Sequence, residues 1–273
     1  MIAIKPFAEI LDIGNMDVLK KIELAGRTCY KSLGNIKDGS DEKFVSNLIK
    51  RGHEAMLEHA SFCFEIDHHV YHVWNDAIQV LSSKYGFKSF VRFTDGERIL
   101  MSGNVRAWRD LFKNLKQTFG LPIFFKEFIQ ENPVLFPEYQ NYMFIPCLGS
   151  IRPISIDDLK TENEFLTHCD VTVRFVVDRG ISHEIVRHRP ASYAQESTRY
   201  CNYSKDDFGT QVTFIIPNYL AYKSAAWNTW KRTMENCETA YFDLLNIGLT
   251  AQEARAVLPN SLKTEVVMTA NLR

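Results

Sequence analysis

One stretch limits the possible fold more than any other: "DVTVRFVVDRGISHEIVRHRPASY", residues 170–193. Residues 170–177 alternate and are rich in β-branched side chains, the pattern of a strand with one buried face. Asp178 comes next, and its carboxylate can accept the free amides of a first helical turn, so a helix is predicted over about 179–189. Pro190 disfavours helical geometry at Arg189 and sends the chain on extended. Strand, capped helix and extended return in so short a span call for helices laid against a sheet.

The rest of the chain fits that frame. Val18, Ile22, Ala25 and Cys29 recur at helical spacing, predicting a helix over about 15–31. "DEKFVSNLIK" opens with acids that suit a helix N-terminus and stops at Gly52, predicting a second helix over about 41–51. "SFCFEI" at 61–66 alternates like a strand. Trp227, Trp230, Met234, Cys237, Tyr241 and Leu244 form the apolar stripe of a long helix over about 224–246, read as core or subunit interface. Thr250 with Glu253 is a capping box for one more helix, closed by Pro259. Between about 70 and 169, "YHVWNDAIQVLSSKY" reads as helix and "ERILMSGNVRAWRDLFKNL" as strand, Gly-Asn turn and helix, while 120–157 is rich in proline and aromatics. With no repeat and no polar linker, the expectation is a single α+β domain over 1–273. Its central, mainly antiparallel sheet is flanked by helices, and an inserted α/β embellishment of roughly 100 residues packs on that sheet.

Composition narrows the function. A chain of 273 residues buries roughly 75% of its unfolded surface and needs no staples. Lysine and arginine total 32 against 33 acids, a formal charge of -1, so there is no global field to draw it onto nucleic acid or anionic lipid. An RNA-binding reading, with tyrosines beside the Arg-His-Arg segment as a stacking platform, fails on the same count. The start, "MIAIKPFAEILDIGN", has no basic leader and no apolar run, and no stretch approaches a membrane span, which gives a cytoplasmic expectation. The six cysteines are scattered with no C-x-x-C pair and are read as buried free thiols. The sequon at Asn202-Tyr203-Ser204 is discounted for want of a secretory signal.

Residues 187–200, "RHRPASYAQESTRY", concentrate three arginines, a histidine and hydroxyl groups around one proline. Arginine offers a planar fork of donors matched to phosphate and carboxylate oxygens, so the cluster is a candidate berth for a small phosphorylated ligand. Glu184 lies three and four residues before Arg187 and His188, which puts a carboxylate, a guanidinium and an imidazole on one helical face, read as lining a cleft. The plainer alternative is a solvated helix end with surface salt bridges. His53, Glu54, Glu58 and His59 invite a zinc reading, but histidines six apart sit about 240° round a helix and not on one face. His59 reads better as a core histidine. No G-x-G-x-x-G or P-loop occurs.

Arg187-His188-Arg189, seven residues and then Ser197 match the R-H-R-x7-S signature of the flavin-dependent thymidylate synthases, and the chain resembles that family beyond it. "AGRTCYKS", "GHEAMLEHASFCFEI", "STRYCNYS", "FIIP", "ARAVLP" and "TANLR" carry the likeness through about 1–66 and 170–273. The resemblance implies a homotetramer with FAD bound where subunits meet, which converts dUMP to dTMP with methylenetetrahydrofolate as carbon donor and NADPH as reductant. It implies that His53, Glu58, Arg187, His188, Arg189 and Asn271 contact FAD. Ser197, Arg199 and Arg255 would hold dUMP, chiefly by its phosphate. Glu184, Arg187 and Gln195 join the substrate contacts, and Gln195 also the flavin contacts. Arg187, Ser197 and Arg255 are the expected catalytic set, with Ser197 supplying an orienting hydrogen bond rather than a nucleophile.

Two departures from the family shape the expectation. The block at about 70–169 has no counterpart in compact members. The sequence ends at Asn271-Leu272-Arg273, where members continue through a helix with an arginine that polarises the pyrimidine. The alternative this raises is a homologue that binds flavin or nucleotide without turnover.

Overall fold

The computed structural model describes residues 1–72, 91–94, 98–199, 203 and 211–272. Most of the helix expected at 71–85 lies outside them, as do Tyr200, Cys201, two residues of the sequon and Arg273; residues 68–72 are helical. The chain divides into two compact units, one of Met1–Leu11, Ala25–Gly34 and Val173–Met268, the other of Asp12–Leu24, Asn35–Thr172 and Thr269–Arg273.

The strands in chain order are β1 (Ile2–Ile4), β2 (Phe7–Ile13), β3 (Ser61–Ile66), β4 (Val91–Thr94), β5 (Ile99–Asn104), β6 (Ile151–Ile154), β7 (Asp170–Asp178), β8 (Ser192–Gln195), β9 (Thr213–Ile215) and β10 (Lys263–Asn271). The helices used below are α1 (Val18–Cys29), α2 (Ser40–Lys50), α3 (Val105–Thr118), α4 (Lys126–Glu131), α5 (Glu162–His168), α6 (Arg179–Ile185), α7 (Ala225–Asn246) and α8 (Ala251–Ala254). The expected α+β class is what the chain adopts. Among the described residues the sheets run β2-β7-β10-β8, β4-β5-β3-β6 and β1-β9.

In the first unit, β1 and β9 pair in parallel with Ile2 opposite Thr213. Phe214, Met234, Tyr241, Ala254 and Leu262 form a small core with Val212 and Tyr203. Most of the α7 stripe is core, with Met234 and Tyr241 buried and Trp230, Cys237 and Leu244 packed partly against them, while Trp227 is half-buried and meets the Tyr222 ring. Ser224 caps that helix by accepting the Trp227 amide at 3.1 Å. Asp178 caps α6 as anticipated, accepting the Ile181 amide at 2.8 Å.

The same helix ends at Ile185, four residues before the expected stop. Arg187 and His188 amides bond to Glu184 and Ile185 carbonyls at 3.1 and 3.0 Å, i→i+3 contacts that tighten the last turn instead of extending it. The Tyr193 hydroxyl donates into the Ile185 and His188 carbonyls, tying β8 back onto that turn.

In the second unit, β3 is central and antiparallel to both β5 and β6, with β4 antiparallel to β5 on the far side. The stretch read as an embellishment thus shares its sheet with a strand from outside it. Phe64 of β3 meets the Trp108 ring edge-on at 5.0 Å and the Phe128 ring at 4.8 Å. Such edge contacts add stabilisation beyond area burial. Ile22, Val45, Leu48 and Leu57 close the same core from α1, α2 and the 3-10 turn Glu54–His59. The anticipated Gly-Asn turn is absent: Gly103 and Asn104 finish β5, and Asn104 caps α3 by accepting the Ala107 amide at 2.8 Å. At the front of α1, Asp12 gathers the amides of Gly14, Asn15 and Met16 at 2.8 to 3.0 Å, so the helix starts at Val18 rather than 15.

His59 is fully buried, with Nδ1 2.8 Å from the Thr269 hydroxyl, which lies 2.9 Å from the Thr172 hydroxyl. It is a core histidine. The five described cysteines carry free thiols, but only Cys169 is buried.

His168 lies between Thr94 Oγ1, 2.9 Å from Nε2, and Ser102 Oγ, 2.7 Å from Nδ1. Burial, aided by the Arg92 cation, lowers its pKa from 6.5 to about 4. The unfolded chain takes up this proton below about pH 6.5, whereas the folded one waits until near 4. The stability this site contributes is therefore fully present above 6.5 and lost as pH falls toward 4, by roughly 3 kcal/mol across the whole interval. Thermal melts between pH 7.5 and 4.5 should show that decline, and His168→Gln should flatten it. Asp178→Ala should cost about 1 kcal/mol in urea denaturation at unchanged slope, and Asp178→Asn should cost much less.

Candidate active site

The residues singled out by sequence fall into both units. Glu184, Arg187, His188, Arg189, Gln195, Ser197, Arg199 and Arg255 belong to the first; His53, Glu58 and Asn271 belong to the second.

At the end of α6, Arg187 and Glu184 pair at 3.2 Å with side chains 76% and 70% exposed. His188 and Arg189 are exposed too. Among the described residues of the single chain this face meets solvent and lines no cleft, the geometry of a surface salt bridge. Such a pair adds little stability, so the charges there are available to a ligand at little cost to the fold.

The chain then tightens. From β8 to Arg199, residue after residue is anchored to a different element. Half-buried Gln195 donates from Nε2 to Ser182 Oγ at 2.9 Å and Thr264 Oγ1 at 3.2 Å, joining α6 to β10. The Glu196 amide donates to the Glu265 carbonyl at 2.8 Å, and the Ser197 amide to the Cys29 carbonyl at 3.0 Å. Ser197 Oγ accepts the Arg199 amide at 3.4 Å.

Arg199 and Arg255, 56 positions apart by their numbers, meet at one residue. Gln252 Oε1 accepts from Arg199 Nε at 3.3 Å, and the Gln252 carbonyl accepts from Arg255 Nε at 3.1 Å. Arg255 Nη1 reaches Thr198 Oγ1 at 2.9 Å. Its Nη2 makes no hydrogen bond among the described residues. Arg255 does not turn to its neighbour Glu253, because that carboxylate is committed to the capping box, accepting from the Thr250 amide at 2.8 Å and the Thr250 hydroxyl at 2.7 Å. The capping box starts α8, and α8 in turn sets Gln252 and Arg255 one turn apart.

Ser197, Arg199 and Arg255 are thus brought together through Gln252 and Thr198. Thr198 and Gln252, which hold them, were not singled out. Thr198 directly follows the last residue of the signature, and Gln252 stands three residues before Arg255 at helical spacing, so the signal for Gln252 existed but could not be told from an ordinary surface residue.

In the second unit, exposed His53 occupies the N-cap position of the 3-10 turn Glu54–His59 without a side-chain capping hydrogen bond. Glu58 is paired with Arg106 of α3. Asn271 donates from Nδ2 to the Thr167 carbonyl at 3.1 Å. The strongly shifted thiol, Cys63, is pushed up to about 12 by burial, and burial with the Glu196 carboxylate also raises Cys29. Neither is an activated nucleophile.

The family model described as "Thymidylate synthase complementing protein" matches residues 13–78 and 160–273, leaving 79–159 outside. A flavin-dependent thymidylate synthase of Pyrococcus furiosus is 36% identical over 95 residues, 35% of this chain and 38% of that protein. One of Geobacter sulfurreducens is 35% identical over 97 residues, 36% and 40% of the two chains. One of Pyrococcus abyssi is 34% identical over 134 residues, 45% and 54%. The chain spans about half or less of the length of these relatives. Among solved structures, the UMP/dUMP methylase PolB from Streptomyces cacaoi bound with 5-Br dUMP aligns over 99% of this chain and 75% of its own, at 13% identity and a TM-score of 0.36. The family match covers about two thirds of the chain and takes in both the Arg187-His188-Arg189 signature and Arg255, so this protein belongs to the thymidylate synthase complementing protein family.

Proposed function

We propose that this protein methylates dUMP to dTMP, using FAD, with methylenetetrahydrofolate as carbon donor and NADPH as reductant. The observation that carries the reading is the convergence of Ser197, Arg199 and Arg255 around Gln252 and Thr198. Two guanidinium groups and a hydroxyl held in one hydrogen-bonded cluster form a donor set suited to a nucleotide monophosphate. The family to which the chain belongs, and the flavin-dependent thymidylate synthases it resembles, point to the same ligand class.

The residues present fit FAD by the chemistry of their donors. Arg187, His188 and Arg189 are exposed nitrogen donors on consecutive residues, matched to the phosphate oxygens of a dinucleotide. His53, Glu58 and Asn271 are the proposed additional flavin contacts. When bound, the flavin supplies the reducing equivalents that complete the methyl group. The protein's part is positional: Arg199 and Arg255 neutralise the phosphate, Ser197 orients the nucleotide by a hydrogen bond, and Arg187 and Gln195 address the base. No protein nucleophile is required, in keeping with the raised Cys29 thiol. Glu184, beside Arg187, is included among the substrate contacts.

The proposal extends to a cytoplasmic homotetramer of one-domain subunits with residues of about 70–169 as an insertion. Among the described residues, no helix is long and apolar enough to cross a membrane.

Purified protein should carry the absorbance of oxidised flavin, and dUMP should perturb that band. Tritium release from labelled dUMP should depend on both NADPH and the folate. Flavin and dUMP binding without release would leave the non-turnover alternative standing; absence of both would reject the reading. Arg255→Ala and Ser197→Ala should each lower kcat/KM for dUMP by roughly 10- to 100-fold, the worth of a charge-assisted hydrogen bond.

A further inference from the structure

Between Gln195 and Ser197 sits a residue that no motif uses. Glu196 is 3% exposed, and its Oε2 accepts from Lys263 Nζ at 2.9 Å; Lys263 opens β10 and is itself only 8% exposed. Lys263 also donates to Glu265, whose other oxygen lies 3.8 Å from Arg174, and Arg174 pairs with Glu9. From the other side, Lys31 stands 3.8 Å from Glu196 Oε1, which accepts no hydrogen bond among the described residues. Burial disfavours the Lys263 charge, but Glu196 and Glu265 more than offset it and raise its pKa, so the ammonium stays charged.

A buried pair of this kind adds little to stability compared with a well-packed apolar pair, and removing one partner strands the other charge. What it does supply is direction. Glu196 is fastened to β10 twice, by its carboxylate on Lys263 and by its amide on the Glu265 carbonyl. With Gln195 on Thr264 and the Ser197 amide on Cys29, the path of the backbone into Ser197 and Thr198 is determined. Those two residues carry the orienting hydroxyl and the hydroxyl that holds Arg255.

We infer that the buried Glu196–Lys263 pair is a positioning device for the nucleotide site, setting the Ser197-Thr198 turn so that the serine hydroxyl and Arg255 present themselves together to the phosphate. This rests on the dUMP reading above. Glu196 and Lys263 touch no ligand in this scheme; they act through Ser197, Thr198 and Arg255.

Calorimetric titration of dUMP into the purified full chain tests it, with flavin content and circular dichroism measured on the same samples. Glu196→Gln and Lys263→Met should each weaken dUMP by about tenfold or more while flavin content and fold persist. Lys263→Arg keeps the charge and should stay within about threefold of the parent. KM for dUMP should rise in the first two variants with kcat at saturation changed far less. Unchanged dUMP affinity in Glu196→Gln or Lys263→Met would overturn the inference. So would loss of dUMP, flavin and fold in parallel, which marks a purely structural pair, or Lys263→Arg proving as damaging as Lys263→Met. A parent protein that binds no dUMP defeats the nucleotide reading itself and this inference with it.

Discussion

A polar group taken out of water must find its partner inside the protein, and that requirement shapes residues 195–198 more than any other part of the chain. Each of these residues is tied by a side chain or an amide to an element outside the segment: α6 and β10 for Gln195, β10 again for Glu196, the end of α1 for Ser197, and the Arg255 turn for Thr198. The turn is specified by these anchors together. Arg199 and Arg255, whose guanidinium groups would otherwise swing freely in solvent, inherit that definition through Gln252 and Thr198.

The signature at the end of α6 is built on the opposite principle. Arg187, His188 and Arg189 lie on an exposed turn, and the i→i+3 contacts and Tyr193 fix their backbone while leaving their charges in water. Rigid backbone with solvated charge suits a surface that gains its partners from a ligand. The charges at Glu196 and Lys263 are buried and paired, whereas those of the signature stay in solvent.

The second unit answers to apolar packing. Phe64, Trp108, Phe112 and Phe128 interlock edge to face, and the polar exceptions beneath them, His168 among hydroxyls and His59 on the Thr269–Thr172 pair, are hydrogen-bonded. Residues 79–159, which the family match does not cover, contribute β5, β6 and α3 to this core together with β3, α1 and α2 from matched segments. Removing that block would strip β3 of both its neighbours.

Local signals were enough to read much of this in advance. Asp178, Ser61–Ile66, the α7 stripe, the Thr250 capping box and the R-H-R-x7-S spacing all sit within a few residues of what they control, and caps, alternation and helical periodicity act at that range. The early end of α6, the late start of α1 and the absent Gly-Asn turn were decided by hydrogen bonds that periodicity does not register. Which hydroxyl holds Arg255, which lysine neutralises Glu196 and which strands flank β3 were settled only by the tertiary structure. Those partners lie tens of residues apart in the chain, and the need to satisfy a buried charge is met by whatever group the fold brings near.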